Sequence, residues 1–396
     1  MQQDPVVIVG LARTPIGSFQ GEFKDLAAPE LGGIAIRGAL DRAGLAADQV
    51  EDVVMGCVLP AGMGQAPARQ AAVKAGIPVS AGATTVNKMC GSGMRAAMIA
   101  HDQLVAGSSN VMVAGGIESM TNAPYVLTKA RNGYRLGNGQ LFDHMYLDGL
   151  QDSFDVPGKL MGEFAEDTAE AYQFTREQQD AFAVASLNRA RTANEDGAFA
   201  AEITPVVVTS RQGERTVTRD EQPFTAKPEK IPQLKPVFRK NGTVTPANAS
   251  SISDGAAALV MMRRSEAERR KLRPLARIVA HATHSQQASW FTTAPIGSIR
   301  KVLERAGWKT GDVDLFEVNE AFAVVTMAAM KDLGIAHEIM NVHGGACALG
   351  HPVGASGARI MVTLYHALAK RGLKRGVASL CIGGGEATAV AIERLA

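Results

Sequence analysis

The feature that most restricts the architecture of this chain is a repeat separated by roughly two-thirds of its length. Asp41-Arg42-Ala43-Gly44, followed by Val50-Glu51 and an apolar run, recurs 263 residues later as Glu304-Arg305-Ala306-Gly307, followed by Val313-Asp314 and an apolar run that ends at Asn319. Cys90-Gly91-Ser92-Gly93-Met94-Arg95 recurs 264 residues later as Gly354-Ala355-Ser356-Gly357-Ala358-Arg359. Helix starts rich in small residues occur in any α/β protein, so either match alone carries little. Two separated matches with offsets agreeing within one residue imply a duplicated domain with pseudo-two-fold symmetry. At both ends of the chain, strand-like apolar runs alternate with helix-like patterns, the sequence sign of an α/β fold.

Between the copies, roughly residues 121–250, the texture changes. Asn132-Gly133, Gly137-Asn138-Gly139 and Asp148-Gly149 are turn signals. Pro223, Pro228, Pro232 and Pro236 recur where no regular element could run through them. One helix is predicted here: Thr175-Arg176-Glu177-Gln178 is a capping-box pattern, and Phe182 with Leu187 gives part of an apolar face before Gly197. Such an insertion on a rigid core is expected to hold ligand-binding loops.

Composition narrows the class further. With 46% hydrophobic and 20% charged residues, the 396-residue chain has material for sizeable cores and too few charges for a disordered protein. Its 41 basic and 39 acidic residues give no reason to expect a nucleic-acid or membrane-surface binder, so an anionic ligand needs a local patch. Met1-Gln2-Gln3-Asp4-Pro5 runs straight into Val6-Val7-Ile8-Val9, a buried-strand pattern with no leader. No apolar run approaches the ~20 residues of a membrane span, and Glu393-Arg394-Leu395-Ala396 is not a peroxisomal address. These features predict a cytoplasmic enzyme. The four cysteines, Cys57, Cys90, Cys347 and Cys381, suit a reducing compartment, and none is spaced as a zinc ligand, so no metal site is expected. Cys57, in the run Val53 to Leu59, reads as a small core residue.

Cys90 follows a strand pattern, Ala83 to Asn87, and precedes a helix pattern, Gly91 to Ala100. A cysteine at that junction sits near a helix N-terminus, whose N–H groups favour a thiolate and lower its pKa. Its glycine neighbours let a substrate approach the backbone. Cys381 ends an apolar run before Ile382-Gly383-Gly384-Gly385. It reads equally as a strand terminus or as part of a loop whose free N–H groups form an oxyanion hole. His351, in Leu349-Gly350-His351-Pro352-Val353-Gly354, occupies the loop symmetric to the approach to Cys90, where it could take a proton from that thiol. Asn319, in Glu317-Val318-Asn319-Glu320-Ala321-Phe322, has two open readings, a helix N-cap and an amide that holds an oxyanion.

Cys90 in its motif, Asn319-Glu320-Ala321-Phe322, Gly350-His351-Pro352 and Cys381 to Gly385 together resemble the thiolase family. Arg13-Thr14-Pro15-Ile16-Gly17, Ala114 to Met120 and Asn341 to Ile360 match as well, so the resemblance runs the length of the chain. It implies a five-layered αβαβα core of two similar halves, residues 1–121 with 251–272 and residues 273–396. A loop domain, residues 122–250, would cover coenzyme A. Family members are generally dimers or tetramers, and the turn-rich Tyr125–Asp143 segment falls where tetrameric relatives carry an assembly loop.

The resemblance further implies a two-stage exchange between coenzyme A thioesters such as acetyl-CoA and acetoacetyl-CoA, with no metal or redox cofactor. His351 activates Cys90, which is acylated as coenzyme A leaves, in an oxyanion hole formed by the N–H groups of Cys90 and Gly383. Cys381 then takes the α-proton of a second acetyl-CoA while Asn319, through a water, and His351 hold the enolate. Ser250 matches a pantetheine contact, although alone it reads as a loop serine. Met161 and Gly162 match a segment lining the acyl site. Leu160 departs from the family, standing where many relatives have His. Phe291 departs too, since many acetoacetyl-CoA thiolases have Met there and Phe is found in ketothiolases accepting 2-methyl-branched substrates. With Phe322 it is expected to shape the acyl pocket. The rivals are a decarboxylating ketosynthase-type enzyme, which needs no second cysteine, and a non-catalytic acyl-CoA binder on the same fold.

Overall fold

The computed structural model describes residues 4–395 except Gln212; the expectations resting on Met1 to Gln3 and on Ala396 lie outside the described residues. Nine principal strands are β1 Val6–Arg13, β2 Asp52–Gly56, β3 Gly82–Val86, β4 Val111–Ser119, β5 Ser253–Arg263, β6 Ala276–Ser285, β7 Leu315–Val318, β8 Arg375–Ile382 and β9 Glu386–Arg394. The helices that matter here are α1 Ala28–Ala43, α2 Pro67–Lys74, α3 Ser92–Ala106, α4 Met161–Tyr172, α5 Arg176–Glu195, α6 Ala294–Ala306, α7 Ala323–Leu333 and α8 Val353–Arg371.

The duplication is visible in the strand pairing. In the first half the order is β1-β5-β4-β2-β3, the first two pairings antiparallel and the last two parallel. In the second it is β6-β9-β8-β7, again two antiparallel pairings and then a parallel one. The position equivalent to β3 is reduced to a single parallel bridge between Phe316 and Met340. The halves meet where β1 pairs with β6 at Val7–Arg277 and Ile8–Ala276. All of β1 is buried, so both of its faces are apolar, and Val6 to Val9 read as a continuous run instead of alternating.

Three apolar clusters define five layers. Helices α1 and α2 pack on the outer face of the first half, α3 and α8 lie between the two halves, and α6 and α7 cover the outer face of the second. The first repeated motif is a helix terminus: α1 and α6 each stop at a glycine in the left-handed region, Gly44 at φ 64° and Gly307 at φ 67°, whose N–H groups cap the last turn. The second brings α3 and α8 together. A Cβ on Gly93 would lie 2.9 Å from the Ala358 nitrogen, and one on Gly357 would run into the Met94 backbone. The middle helices therefore touch backbone to backbone at equivalent glycines, which sets their N-terminal ends, and the loops entering them, side by side.

The chain leaves the sheet after Ser119 and rejoins it at Ser253. Helix α5 in this excursion has the predicted cap: Thr175 Oγ1 accepts from the Gln178 N–H at 3.3 Å and Gln178 Oε1 from the Thr175 N–H at 3.0 Å. The excursion is tied down by Arg13, which is fully buried and reaches Glu202 at 2.5 Å and Asp220 at 2.6 Å. Among the described residues no helix is long and apolar enough to cross a membrane.

Candidate active site

Cys90 lies in the turn between β3 and α3. The turn is fixed from both sides: the Met89 N–H donates to Asn87 Oδ1 at 2.9 Å, and Ser92 Oγ donates to the Met89 carbonyl at 2.6 Å. Met89 has φ 48°, a conformation that costs a side-chain-bearing residue energy and persists because these bonds over-determine it. After β8 the chain turns back through Gly384 at φ 91° and Gly385 at φ 84°, conformations open to glycine. The Gly383 N–H and the N–H of Cys90 itself are directed at the Cys90 sulfur. They do not lower its pKa below that of a free thiol. Burial outweighs them, the Glu118 carboxylate adds to it, and the thiol is pushed up to about 11. The expected depressed pKa is therefore corrected. Helix α3 begins two residues after Cys90, and the cost of desolvating a thiolate exceeds what the N–H groups return.

His351 is held by a directional chain. Ser356 Oγ donates to the Pro352 carbonyl at 2.9 Å, so its lone pair receives the His351 Nδ1–H at 2.6 Å. This fixes the tautomer and leaves Nε2 as the basic nitrogen. Asn319 Nδ2 lies 3.4 Å from that Nε2, while Asn319 Oδ1 accepts from Arg359 Nη2 at 3.5 Å, which orients the amide with its donors toward the histidine. Burial, with Arg359 adding to it, pulls His351 down to about 3. At rest the imidazole is neutral and so is the thiol.

The N-cap reading of Asn319 is corrected by the structure. Helix α7 starts at Ala323 after Phe322, and Asn319 sits between β7 and that helix with its amide turned to His351. Cys381 lies within β8 and is fully buried; burial, with Cys90 close by, keeps its thiol well above the ordinary range. Cys57 is buried as expected, with its thiol 3.7 Å from Glu118.

A cavity of about 190 Å³ gathers Cys90, His351, Gly383, Ser250, Leu160, Met161, Phe291 and Phe322. Asn319 and Cys381 do not line it; they stand behind His351 and Cys90. Its floor is aromatic, with Phe291 edge-on to Phe164 at 6.4 Å and Phe322 edge-on to Phe238 at 6.0 Å. Leu160 caps α4, and Ser250 is fixed by its N–H to the Ala321 carbonyl at 2.9 Å. A second cavity, about 340 Å³, has Lys227 and Lys230 among its lining residues and an apolar floor of Leu187, Ile231 and Leu234. The chain from Pro246 to Ser250 runs from that cavity to the first.

Three supporting groups escaped sequence reasoning. Ser356 and Arg359 both lie in the second copy of the repeat, where a search for polar groups five and eight residues beyond His351 would have found them. Glu118 accepts from the N–H groups of Val58 at 2.9 Å, Leu59 at 3.2 Å and Gly354 at 2.9 Å, joining the end of the β2 region to the start of α8. Burial raises its carboxyl to about 7. Its sequence signals were a charged residue in a largely apolar strand and its place in the matching stretch Ala114 to Met120.

Comparison with known proteins places this architecture. The chain superposes on the crystal structure of the Bacillus anthracis acetyl-CoA acetyltransferase with a TM-score of 0.95, at 40% identity and 99% coverage of both chains, so its fold is the thiolase fold. Residues 6–265 match the thiolase N-terminal domain and residues 272–394 the thiolase C-terminal domain. It is 49% identical over 392 residues to an acetyl-CoA acetyltransferase of Shinella zoogloeoides, covering 99% of each. It is 48% identical over 394 residues to the cytosolic acetyl-CoA acetyltransferase of Mus musculus, covering 99% of this chain and 98% of that one. The chain belongs to the thiolase family of acyltransferases.

Proposed function

We propose that this enzyme interconverts two acetyl-CoA with acetoacetyl-CoA and coenzyme A by a ping-pong Claisen condensation. The observation that carries the reading is the single cavity that brings the Cys90 sulfur, two N–H groups directed at it and His351 Nε2 together. Because thiol and imidazole are both neutral at rest, the proton moves from Cys90 to His351 Nε2 as the sulfur attacks the thioester carbonyl. The N–H groups of Cys90 and Gly383 receive the developing oxyanion. The departing thiolate of coenzyme A takes its proton from Cys381, leaving acetyl-Cys90, a Cys381 thiolate and a protonated His351.

For the second stage the Cys381 thiolate left by that transfer is the base that removes an α-proton from the incoming acetyl-CoA. Asn319, through a water, and His351 hold the enolate oxygen, and the carbanion carbon attacks acetyl-Cys90. Cys90 is freed as acetoacetyl-CoA forms and recovers its proton from His351 Nε2, while Cys381 keeps the α-proton. Each proton is returned within the cycle, so these residues need no metal or redox cofactor. Cys381 next to Cys90 favours this reaction over a ketosynthase-type decarboxylation, and the retained set of groups favours a catalyst over a passive acyl-CoA binder.

The aromatic floor and small volume suit short acyl groups. Phe291 and Leu160 in the wall favour tolerance of a 2-methyl branch. Ser250, in the wall of the cavity, would meet the pantetheine arm, and Lys227 with Lys230 would meet the phosphates of coenzyme A. Assembly as a homotetramer or homodimer is part of the same proposal; Leu136 is 99% exposed and Tyr125 66% exposed in the segment assigned to assembly. So is placement in the cytoplasm. Thiolysis of acetoacetyl-CoA by coenzyme A, followed through loss of the magnesium-enolate absorbance, tests the activity. Inactivity with acetoacetyl-CoA alongside turnover of long-chain 3-ketoacyl-CoA would overturn the substrate assignment.

A further inference from the structure

Away from the acyl site, on the middle layer, His101 and Asp102 of α3 meet His281 of β6. Asp102 Oδ1 lies 3.0 Å from His101 Nδ1 and 2.9 Å from His281 Nε2, so one carboxylate oxygen stands between two imidazole nitrogens. The rings are edge to face with centroids 4.9 Å apart, and the three donor atoms all lie within 4.8 Å of one another. Both histidines are half-buried and Asp102 is exposed, which leaves one side of the cluster open to water. We propose that His101, Asp102 and His281 form a binding site for a divalent late first-row transition-metal ion of the zinc class, with water completing its coordination.

The spacing supports this. Metal–nitrogen bonds of about 2.0–2.1 Å and metal–oxygen bonds of about 2.0–2.2 Å, meeting at angles between octahedral and tetrahedral, put neighbouring donors roughly 2.9–3.4 Å apart. The two oxygen–nitrogen separations lie in that range, and the two nitrogens, with all three donors within 4.8 Å of one another, close on the ion by side-chain rotation. Two imidazoles and one carboxylate form a donor set that suits zinc, nickel or copper better than magnesium or calcium. Binding replaces the two hydrogen bonds to Asp102. Both donor nitrogens are free for the ion when the imidazole protons sit on the other ring nitrogens. Asp102 supplies one negative charge, and nearby Arg95 opposes the cation. Since α3 belongs to the first half and β6 to the second, a bound ion would link the two copies of the duplicated core.

The test uses the full-length chain stripped with chelator and then treated with iodoacetamide, so that Cys90 cannot bind the metal. Zinc is titrated by calorimetry, and cobalt(II) is titrated by visible absorption. The expected result is one zinc per chain, a cobalt spectrum without thiolate charge transfer, and an affinity at least tenfold weaker in Asp102→Asn and in His281→Phe. Asp102 is exposed, so the first variant is expected to fold even if the second does not. Absence of saturable binding in the alkylated protein overturns the proposal, and so does binding that Asp102→Asn leaves unchanged.

Discussion

Replacing Ser356 with alanine perturbs catalysis without touching a reacting atom. Its hydroxyl accepts the His351 Nδ1–H at 2.6 Å and is itself spent on the Pro352 carbonyl, all in a site closed to water. Alanine leaves a buried imidazole N–H without an acceptor, a cost of about 1–3 kcal/mol. The same loss removes what selects the tautomer with Nε2 free, so part of the population presents the wrong nitrogen to Cys90. At about 1.4 kcal/mol per factor of ten, full expression of that cost lowers kcat by roughly 5- to 150-fold. The assay is pre-steady-state acylation of Cys90 by acetyl-CoA, beside a thermal melt and the KM for coenzyme A. The expected pattern is slowed acylation with KM changed less than twofold. Acylation within twofold of wild type in a folded Ser356→Ala protein would refute the reasoning about His351.

The remaining expectations follow from burial and packing. With Cys90 held at about 11, its alkylation by iodoacetamide should climb about tenfold per pH unit between pH 7 and 10; a plateau below pH 8 would mean that a thiolate is already present at rest. Gly357→Ala drives a methyl into the Met94 backbone and should cost about 1–3 kcal/mol in urea denaturation, whereas an unchanged midpoint would deny the close helix crossing. Phe291→Ala should destabilise the fold by about 3–5 kcal/mol and shift the ratio of kcat/KM toward longer 3-ketoacyl thioesters; an unaltered acyl profile would remove Phe291 from the pocket wall.

Much of this was legible because it is written in local chemistry. Asp41-Arg42-Ala43-Gly44 and its copy encode a helix end, and Gly93 and Gly357 encode a crossing, so the duplication could be read without coordinates. Cys90, His351 and Cys381 could be singled out because each borders a glycine-rich turn, and Asn319 because it falls between a strand and a helix, whereas Ser250, Leu160, Met161, Phe291 and Phe322 were named through the family resemblance. What stayed hidden depends on tertiary placement. The Cys90 pKa is set by burial between layers, which no neighbouring residue reports. The N-cap reading of Asn319 rested on the preference for asparagine before a helix; the helix starts only at Ala323, and the turn of the amide toward His351 is supported by Arg359 from another helix. The His101, Asp102 and His281 cluster joins residues 179 apart in sequence, and cysteine spacing has no bearing on it.

The central claim is that Cys90 carries the acyl group between the two half-reactions. Incubation with acetyl-CoA alone, quenching in acid and peptide mass analysis tests it directly. The account predicts the mass increase of one acetyl group on the peptide containing Cys90, abolished by Cys90→Ala, retained when Cys381→Ala blocks the second stage, and discharged by coenzyme A. Acetylation on Cys381 in place of Cys90, or full turnover with no acyl-enzyme in the Cys90→Ala protein, would contradict it.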